Sequence, residues 1–175
     1  MQNSDIDVAI ILGSQSDEKV VEEAGLLALL DEFKVSWELS IISAHRHSPI
    51  LTRYLIELWE KRVKAVIAIV GLKADLPSAI KAFLPIIPVI GVPLINSDGF
   101  CDVEGLIHMP PGLPIMVVGK GKEGIVNAGY AALSILSLLD RPEMEGKFAF
   151  HNAKKEELKP RPAEVAKKKS QGGEK

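Results

Sequence analysis

The sequence predicts an α/β fold, a three-layer sandwich in which a five-stranded parallel sheet carries helices on both faces. Three observations lead there. Runs such as Val8-Ala9-Ile10-Ile11-Leu12 and Ala65-Val66-Ile67-Ala68-Ile69-Val70 are apolar without alternation, as strands buried on both faces are. Each run leads into a turn-rich loop and then a segment with helical spacing, the cycle that builds a parallel sheet. With 175 residues, the chain has the length of one domain around a single core.

The first strand, Asp7 to Leu12, stops at Gly13, a residue that punctuates turns. From Asp17 to about Phe33, Val20, Val21, Ala24, Leu27, Leu30 and Phe33 recur at helical spacing while Lys19, Glu22, Glu23, Asp31 and Glu32 fall largely elsewhere, so an amphipathic helix is expected. A second strand runs from Ser36 to Ile42. The loop Ser43 to Pro49 leads into a helix from Ile50 to Lys61, with Ser48 placed to cap it and Pro49 at its first position. Ala65 to Val70 is the third strand and meets Gly71. Pro77 to Phe83 is a short helix, Pro88 to Val92 a fourth strand, and Ile115 to Val118 a fifth. The Ala- and Leu-rich stretch Gly124 to Leu139 is the final helix.

Composition narrows the function classes. At 47% hydrophobic and 25% charged residues, the chain can fill a core, which excludes disorder throughout. The longest nearly uncharged stretch, Ala82 to Asn96, holds Pro85, Pro88 and Pro93 and falls short of the roughly 20 apolar residues of a membrane helix. Met1 to Asp7 carries two acids and no basic residue before the first apolar run, unlike a secretory signal. A single Cys101 forms no intramolecular disulfide and fits a reducing compartment, so a cytoplasmic protein is expected. From Lys147 onward there are nine Lys/Arg and four Glu, leaving a net charge of −7 on residues 1–146. The expected organisation is an α/β domain over 1–146 and a basic tail over 147–175, partly disordered or packed on a neighbouring subunit. That tail has few aromatics to interleave with bases, so neither nucleic acid nor a membrane is expected as partner.

In a parallel sheet, ligands sit beyond the carboxyl ends of the strands. The loops there are Gly13 to Asp17, Ser43 to His47, Gly71 to Asp75, Pro93 to Gly99 and Gly119 to Gly124. Gly13-Ser14-Gln15-Ser16-Asp17 opens a helix, so its hydroxyls and N–H groups suit a phosphate or ribose, with Asp17 accepting from a sugar hydroxyl. The same residues also suit simple helix capping. Ser43-Ala44-His45-Arg46 places a proton carrier beside a planar cation that matches phosphate, where packing demands neither. His45 and His47 lie two apart, but no nearby Cys or second carboxylate completes a metal site. Gly119-Lys120-Gly121-Lys122-Glu123-Gly124 has the spacing of a dinucleotide fingerprint but precedes the last helix instead of following the first strand; a tight turn is expected.

Together, Gly13-Ser14-x-Ser16-Asp17 after the first strand and Ser43-Ala44-His45-Arg46 after the second resemble the PurE family of purine biosynthesis. Ile87-Pro88-Val89-Ile90-Gly91-Val92-Pro93 resembles that family's fourth strand, and Met109-Pro110-Pro111-Gly112-Leu113-Pro114 its Met-Pro-x-Gly-x-Pro segment. Asn127-Ala128 in the last helix is similar too, and the likeness spans about Val8 to Leu139. The resemblance implies a flavodoxin-like fold, commonly a homo-octamer, with no metal or organic cofactor. It implies formation of 4-carboxy-5-aminoimidazole ribonucleotide (CAIR), either by moving the carboxylate of N5-carboxyaminoimidazole ribonucleotide (N5-CAIR) to C4 or by adding CO2 to aminoimidazole ribonucleotide (AIR). By position, Ser14, Ser16, Asp17, Ser43 and Arg46 are implied to bind ribose and phosphate, with His45 as proton carrier.

The third loop departs from the family. Where the mutase branch reads Ala-Ala-His-Leu-Pro-Gly after its glycines, this chain reads Lys73-Ala74-Asp75-Leu76-Pro77-Ser78 after Gly71-Leu72. Gly71, Lys73 and Asp75 are carried as substrate-binding positions on this altered loop. The segment Asp102 to His108 is one residue shorter than the mutase pattern and lacks its serines. Arg46 favours the mutase branch, since the carboxylase branch tends to have Lys there. The alternatives are direct use of CO2, and a diverged homologue with an altered substrate or with ligand binding alone.

Overall fold

The computed structural model describes residues 6–139; the basic tail expected from Lys147 lies outside the described residues. Five strands, β1 (Val8–Leu12), β2 (Trp37–Ile41), β3 (Ala65–Val70), β4 (Val89–Pro93) and β5 (Met116–Val117), form one sheet in the order β2-β1-β3-β4-β5. Every pairing is parallel. This is the flavodoxin-like order, and the fold class read from the sequence stands. The connections are a 3-10 turn (Gln15–Asp17), α1 (Glu18–Ala24), α2 (Leu26–Glu32), α3 (Ser48–Glu60), α4 (Asp75–Phe83), α5 (Glu104–Ile107) and α6 (Gly121–Ser137).

The register brings the strand ends level. Leu12 pairs with both Ile41 and Ile69, and Ile69 with Val92, so the loops after β1 to β4 leave the sheet at one height. Alternate residues feed two cores. Ala9, Ile11, Val66, Ala68 and Val70 join Leu51, Leu55 and Leu58 of α3 and Leu76 and Ile80 of α4. Val8, Ile10, Leu12, Ile67 and Ile69 point to the opposite face and are fully buried there. Gly129 of α6 packs against Leu26 and Leu29 of α2, where an added Cβ would lie 2.8 and 2.9 Å from their side chains. Gly129 thus serves packing within the chain.

Local chemistry moved several boundaries. The helix expected over Asp17 to Phe33 is two helices, because Gly25 adopts a left-handed φ of 76°. That break resets the phase of the apolar stripe, and the buried residues are Val21, then Leu26, Leu29, Leu30 and Phe33. At α3 the cap position is His47 instead of Ser48, and Pro49 still falls in the first turn, where its missing N–H costs nothing. Helix α4 begins at Asp75, two residues before Pro77, so Asp75 stands in its first turn. Helix α6 begins at Gly121 and takes in four of the six residues of the Gly119 to Gly124 loop. A Cβ on Gly124 would lie 2.6 Å from the Gly119 carbonyl carbon, so this glycine pattern is a close backbone crossing, the tight turn expected.

Candidate active site

In the order β2-β1-β3-β4-β5 the chain winds one way from β1 to β2 and the other way from β3 onward, which opens a crevice at the carboxyl ends of β1 and β3. A cleft of about 610 Å³ occupies it. Its walls come from the loops after β1 (Ser14, Ser16, Asp17), β2 (Ser43, His45, Arg46), β3 (Gly71, Lys73) and β4 (Asn96). Eight of the nine residues singled out from the sequence therefore meet in one place. The ninth, Asp75, touches the cleft's His45 from the start of α4. The fifth loop borders a neighbouring cleft through Gly121, Lys122 and Glu123, and this second cleft shares Ser16, Asp17 and Asn96 with the first.

The β1 loop is built around its hydroxyls. Ser14 is the cap of the 3-10 turn, its Oγ accepting from Ser16 N at 3.4 Å and from Ser16 Oγ at 2.9 Å. Ser14 thus caps the turn and also lines the cleft. Asp17 is buried, only 6% exposed, and burial pushes its carboxyl above the usual range despite hydrogen bonds from the Ser16 side chain and within the Ser14 turn. Asp17 Oδ2 has no hydrogen-bond partner, and neither does the buried Asn96 Nδ2. A buried unpaired acceptor and a buried unpaired donor on the same walls are costly to folding alone, and a ligand that pairs with them removes that cost. Gly71 makes room for this carboxylate: a Cβ there would come within 3.1 Å of Asp17 Oδ1.

On the β2 loop, Ser43 Oγ accepts from Arg46 N at 3.3 Å, turning the chain so that His45 and Arg46 both reach the cleft. His45 Nε2 lies 2.8 Å from Asp75 Oδ2. On the β3 loop, Lys73 approaches Asp102 Oδ2 at 4.0 Å, and that same oxygen accepts from Ala74 N at 2.9 Å. The Ala74 hydrogen bond, foremost, holds the Asp102 carboxyl below its ordinary range, with help from Gly105 N and Lys73 against its partial burial. Cys101 donates weakly to the Pro93 carbonyl at 3.7 Å, and burial pushes its thiol up, which disfavours the thiolate.

Asn96 and Asp102 were not singled out from the sequence. Asn96 sits in a loop already assigned to the ligand edge, but only its buried, unpaired amide distinguishes it from Ser97 or Asp98. Asp102 acts 28 residues away from Ala74, a partnership that no local pattern carries.

A sequence model of the AIR carboxylase family matches residues 7–157. An N5-carboxyaminoimidazole ribonucleotide mutase of Pyrococcus abyssi is 39% identical over 142 residues, covering 80% of this chain and 78% of that one. One of Vibrio parahaemolyticus is 35% identical over 161 residues, covering 90% and 98%. A phosphoribosylaminoimidazole carboxylase of Candida glabrata is 34% identical over 86% of this chain, which spans 26% of that larger protein. Among solved structures, Treponema denticola PurE superposes with a TM-score of 0.69 at 25% identity, over 85% of this chain and 92% of that one. The cleft at the switch point, with its serines, Asp17, His45 and Arg46, therefore stands in a known lineage: the chain belongs to the AIR carboxylase family, to which PurE belongs.

Proposed function

We propose that this protein forms CAIR from N5-CAIR in purine biosynthesis. The observation that carries the reading is the meeting in one cleft of His45 with the hydroxyls, carboxylate and guanidinium that a phosphorylated ribose requires. Arg46 and the hydroxyls of Ser14, Ser16 and Ser43 take the phosphate, the guanidinium through its planar fork. Asp17 and Asn96 share a ribose hydroxyl, Gly71 leaves room for the Asp17 carboxylate, and Lys73 offers a cation to the substrate carboxylate.

The chemistry is an isomerisation with no net proton change. The N5–carboxyl carbon bond breaks, N5 takes a proton from His45, and CO2 is released within the cleft. C4 of the imidazole then attacks that CO2, and the C4 proton passes to His45, restoring it. Holding CO2 beside C4 supplies the proximity that makes the second step favourable over escape. Direct carboxylation of AIR by CO2 is the second reading, supported by the likeness to the fungal carboxylases.

The working form we infer is a cytoplasmic homo-octamer. An open apolar groove of about 570 Å³ between Trp59, Ile86, Ile135 and Leu139 supports subunit packing, and no described helix is long and apolar enough to cross a membrane. Light scattering checks the assembly, and a monomer would count against it.

The test is an ultraviolet assay for CAIR supplied in turn with N5-CAIR and with AIR plus bicarbonate, with His45→Asn as control. Turnover of N5-CAIR that vanishes in the variant is expected. Turnover of AIR and bicarbonate alone selects the carboxylase reading. No turnover of either, with the ribonucleotide still bound, means that the altered third loop has redirected or silenced the site.

A further inference from the structure

We infer that Asp75 is a positioning residue for His45, holding its imidazole through Nε2–H so that Nδ1 is the nitrogen that exchanges a proton with substrate. The inference rests on the proposed reading for its kinetics, but not for its geometry.

A carboxylate only accepts, so the 2.8 Å contact between His45 Nε2 and Asp75 Oδ2 requires the hydrogen to sit on Nε2. Nδ1 is then the ring nitrogen left to give and take the proton. Asp75 meets the cleft through His45, whose ring lines it while Nε2 touches the Asp75 carboxylate at 2.8 Å. Its own position is fixed from behind. Asp75 is the first residue of α4, where a negative charge is favoured by the unpaired N–H groups of the helix end. The preceding N–H, that of Ala74, is tied to Asp102. Lys73, the nearest cation in sequence, makes its ion pair with Asp102, which leaves the Asp75 carboxylate to the imidazole.

The pair is ill suited to a purely structural purpose. Both side chains are more than half exposed, 60% for His45 and 62% for Asp75, and exposed pairs add little to stability. Its effect falls on the ring: one tautomer, one orientation, and a negative charge facing the imidazolium that forms when the C4 proton arrives. A His at this position, as in the mutase branch, offers a neutral partner; Asp75 offers an anionic one.

Two measurements test this. Nitrogen-15 spectra of the labelled full chain read the two ring nitrogens of His45 directly. In its neutral form, wild type is expected to hold the hydrogen on Nε2, with two well-separated signals, and Asp75→Ala to move them toward the average of two exchanging tautomers. In the CAIR assay, Asp75→Ala is expected to lower kcat about 10- to 100-fold with KM within about twofold. Asp75→Asn, whose amide oxygen still accepts from Nε2–H, should recover part of that loss. Averaged ring signals in wild type overturn the inference, as does an Asp75→Ala variant that raises KM while sparing kcat, which would make Asp75 a substrate contact. Absence of turnover in wild type refutes the proposed reaction and leaves the nitrogen spectra to decide the pairing by themselves.

Discussion

Asp102 Oδ2 accepts a hydrogen bond from Ala74 N at 2.9 Å across 28 residues of sequence, and Oδ1 accepts from Gly105 N at 3.2 Å. One carboxylate thus pins the third loop to the start of α5. Asp102→Ala leaves two N–H groups without that acceptor and is expected to cost about 1–3 kcal/mol. The pH dependence follows from the direction of its shift. Because the folded carboxyl sits below its ordinary value, the stabilisation is full above about pH 4 and is lost as pH falls through the folded value. Urea melts should therefore show the difference between wild type and Asp102→Ala shrinking below about pH 4. An unchanged difference would mean that the hydrogen bonds contribute nothing.

Asp17 carries the opposite sign. Burial raises its carboxyl, so the folded state holds the proton more readily and stability falls as pH rises from the ordinary value toward the raised one. At neutral pH the unpaired Oδ2 is a net cost to the empty protein. Asp17→Asn is expected to stabilise the ligand-free protein at pH 7 by about 1 kcal/mol and to weaken ribonucleotide binding. The gain should diminish as pH falls and the wild-type carboxyl takes up its proton. Calorimetry of both proteins, with and without AIR, checks the trade; a destabilised and tight-binding variant would contradict it.

Asn96 offers a donor that nothing in the described protein uses. Asn96→Ala should therefore leave the melting temperature within a degree or two while raising KM about 5- to 10-fold, the loss of one net hydrogen bond of about 1–1.5 kcal/mol. Binding equal to wild type would remove Asn96 from the site.

Away from the cleft, two non-glycine residues occupy the left-handed region at helix ends, Lys34 with φ 56° and Arg62 with φ 55°. Each helix closes with the next residue bonding back five positions, Val35 N to Leu30 O at 3.0 Å and Val63 N to Leu58 O at 3.2 Å. Lys34→Gly and Arg62→Gly are each expected to stabilise by about 0.5–1 kcal/mol, since glycine avoids the Cβ clash there. Denaturant midpoints give the answer, and activity should not change.

How much was legible in the sequence varied with how local the cause was. β1 and β3 are continuous apolar runs, and their bounds were read within a residue. Gly25 lay inside an uninterrupted apolar pattern, so the split into α1 and α2, and the shift of the buried stripe to Leu26, Leu29 and Leu30, could not be read from spacing. The four residues of α5 are too short to show a period. In the third loop the identities of Lys73 and Asp75 announced a departure, but their different partners, Asp102 for one and His45 for the other, depend on chain segments that meet only in the fold.

The sequence by itself determined the layers, the parallel sheet and the edge on which chemistry gathers, because strand burial and strand–loop–helix alternation are written in hydrophobic pattern. It also supplied eight residues of the cleft, because each follows directly from the end of a strand. The tertiary structure decided which buried polar atoms lack partners, as at Asp17 and Asn96, and which acid holds the histidine. Those outcomes depend on distances of about 3 Å between residues tens of positions apart, and hydrogen-bond geometry at that scale is fixed by packing of the whole sheet and not by neighbours in the chain.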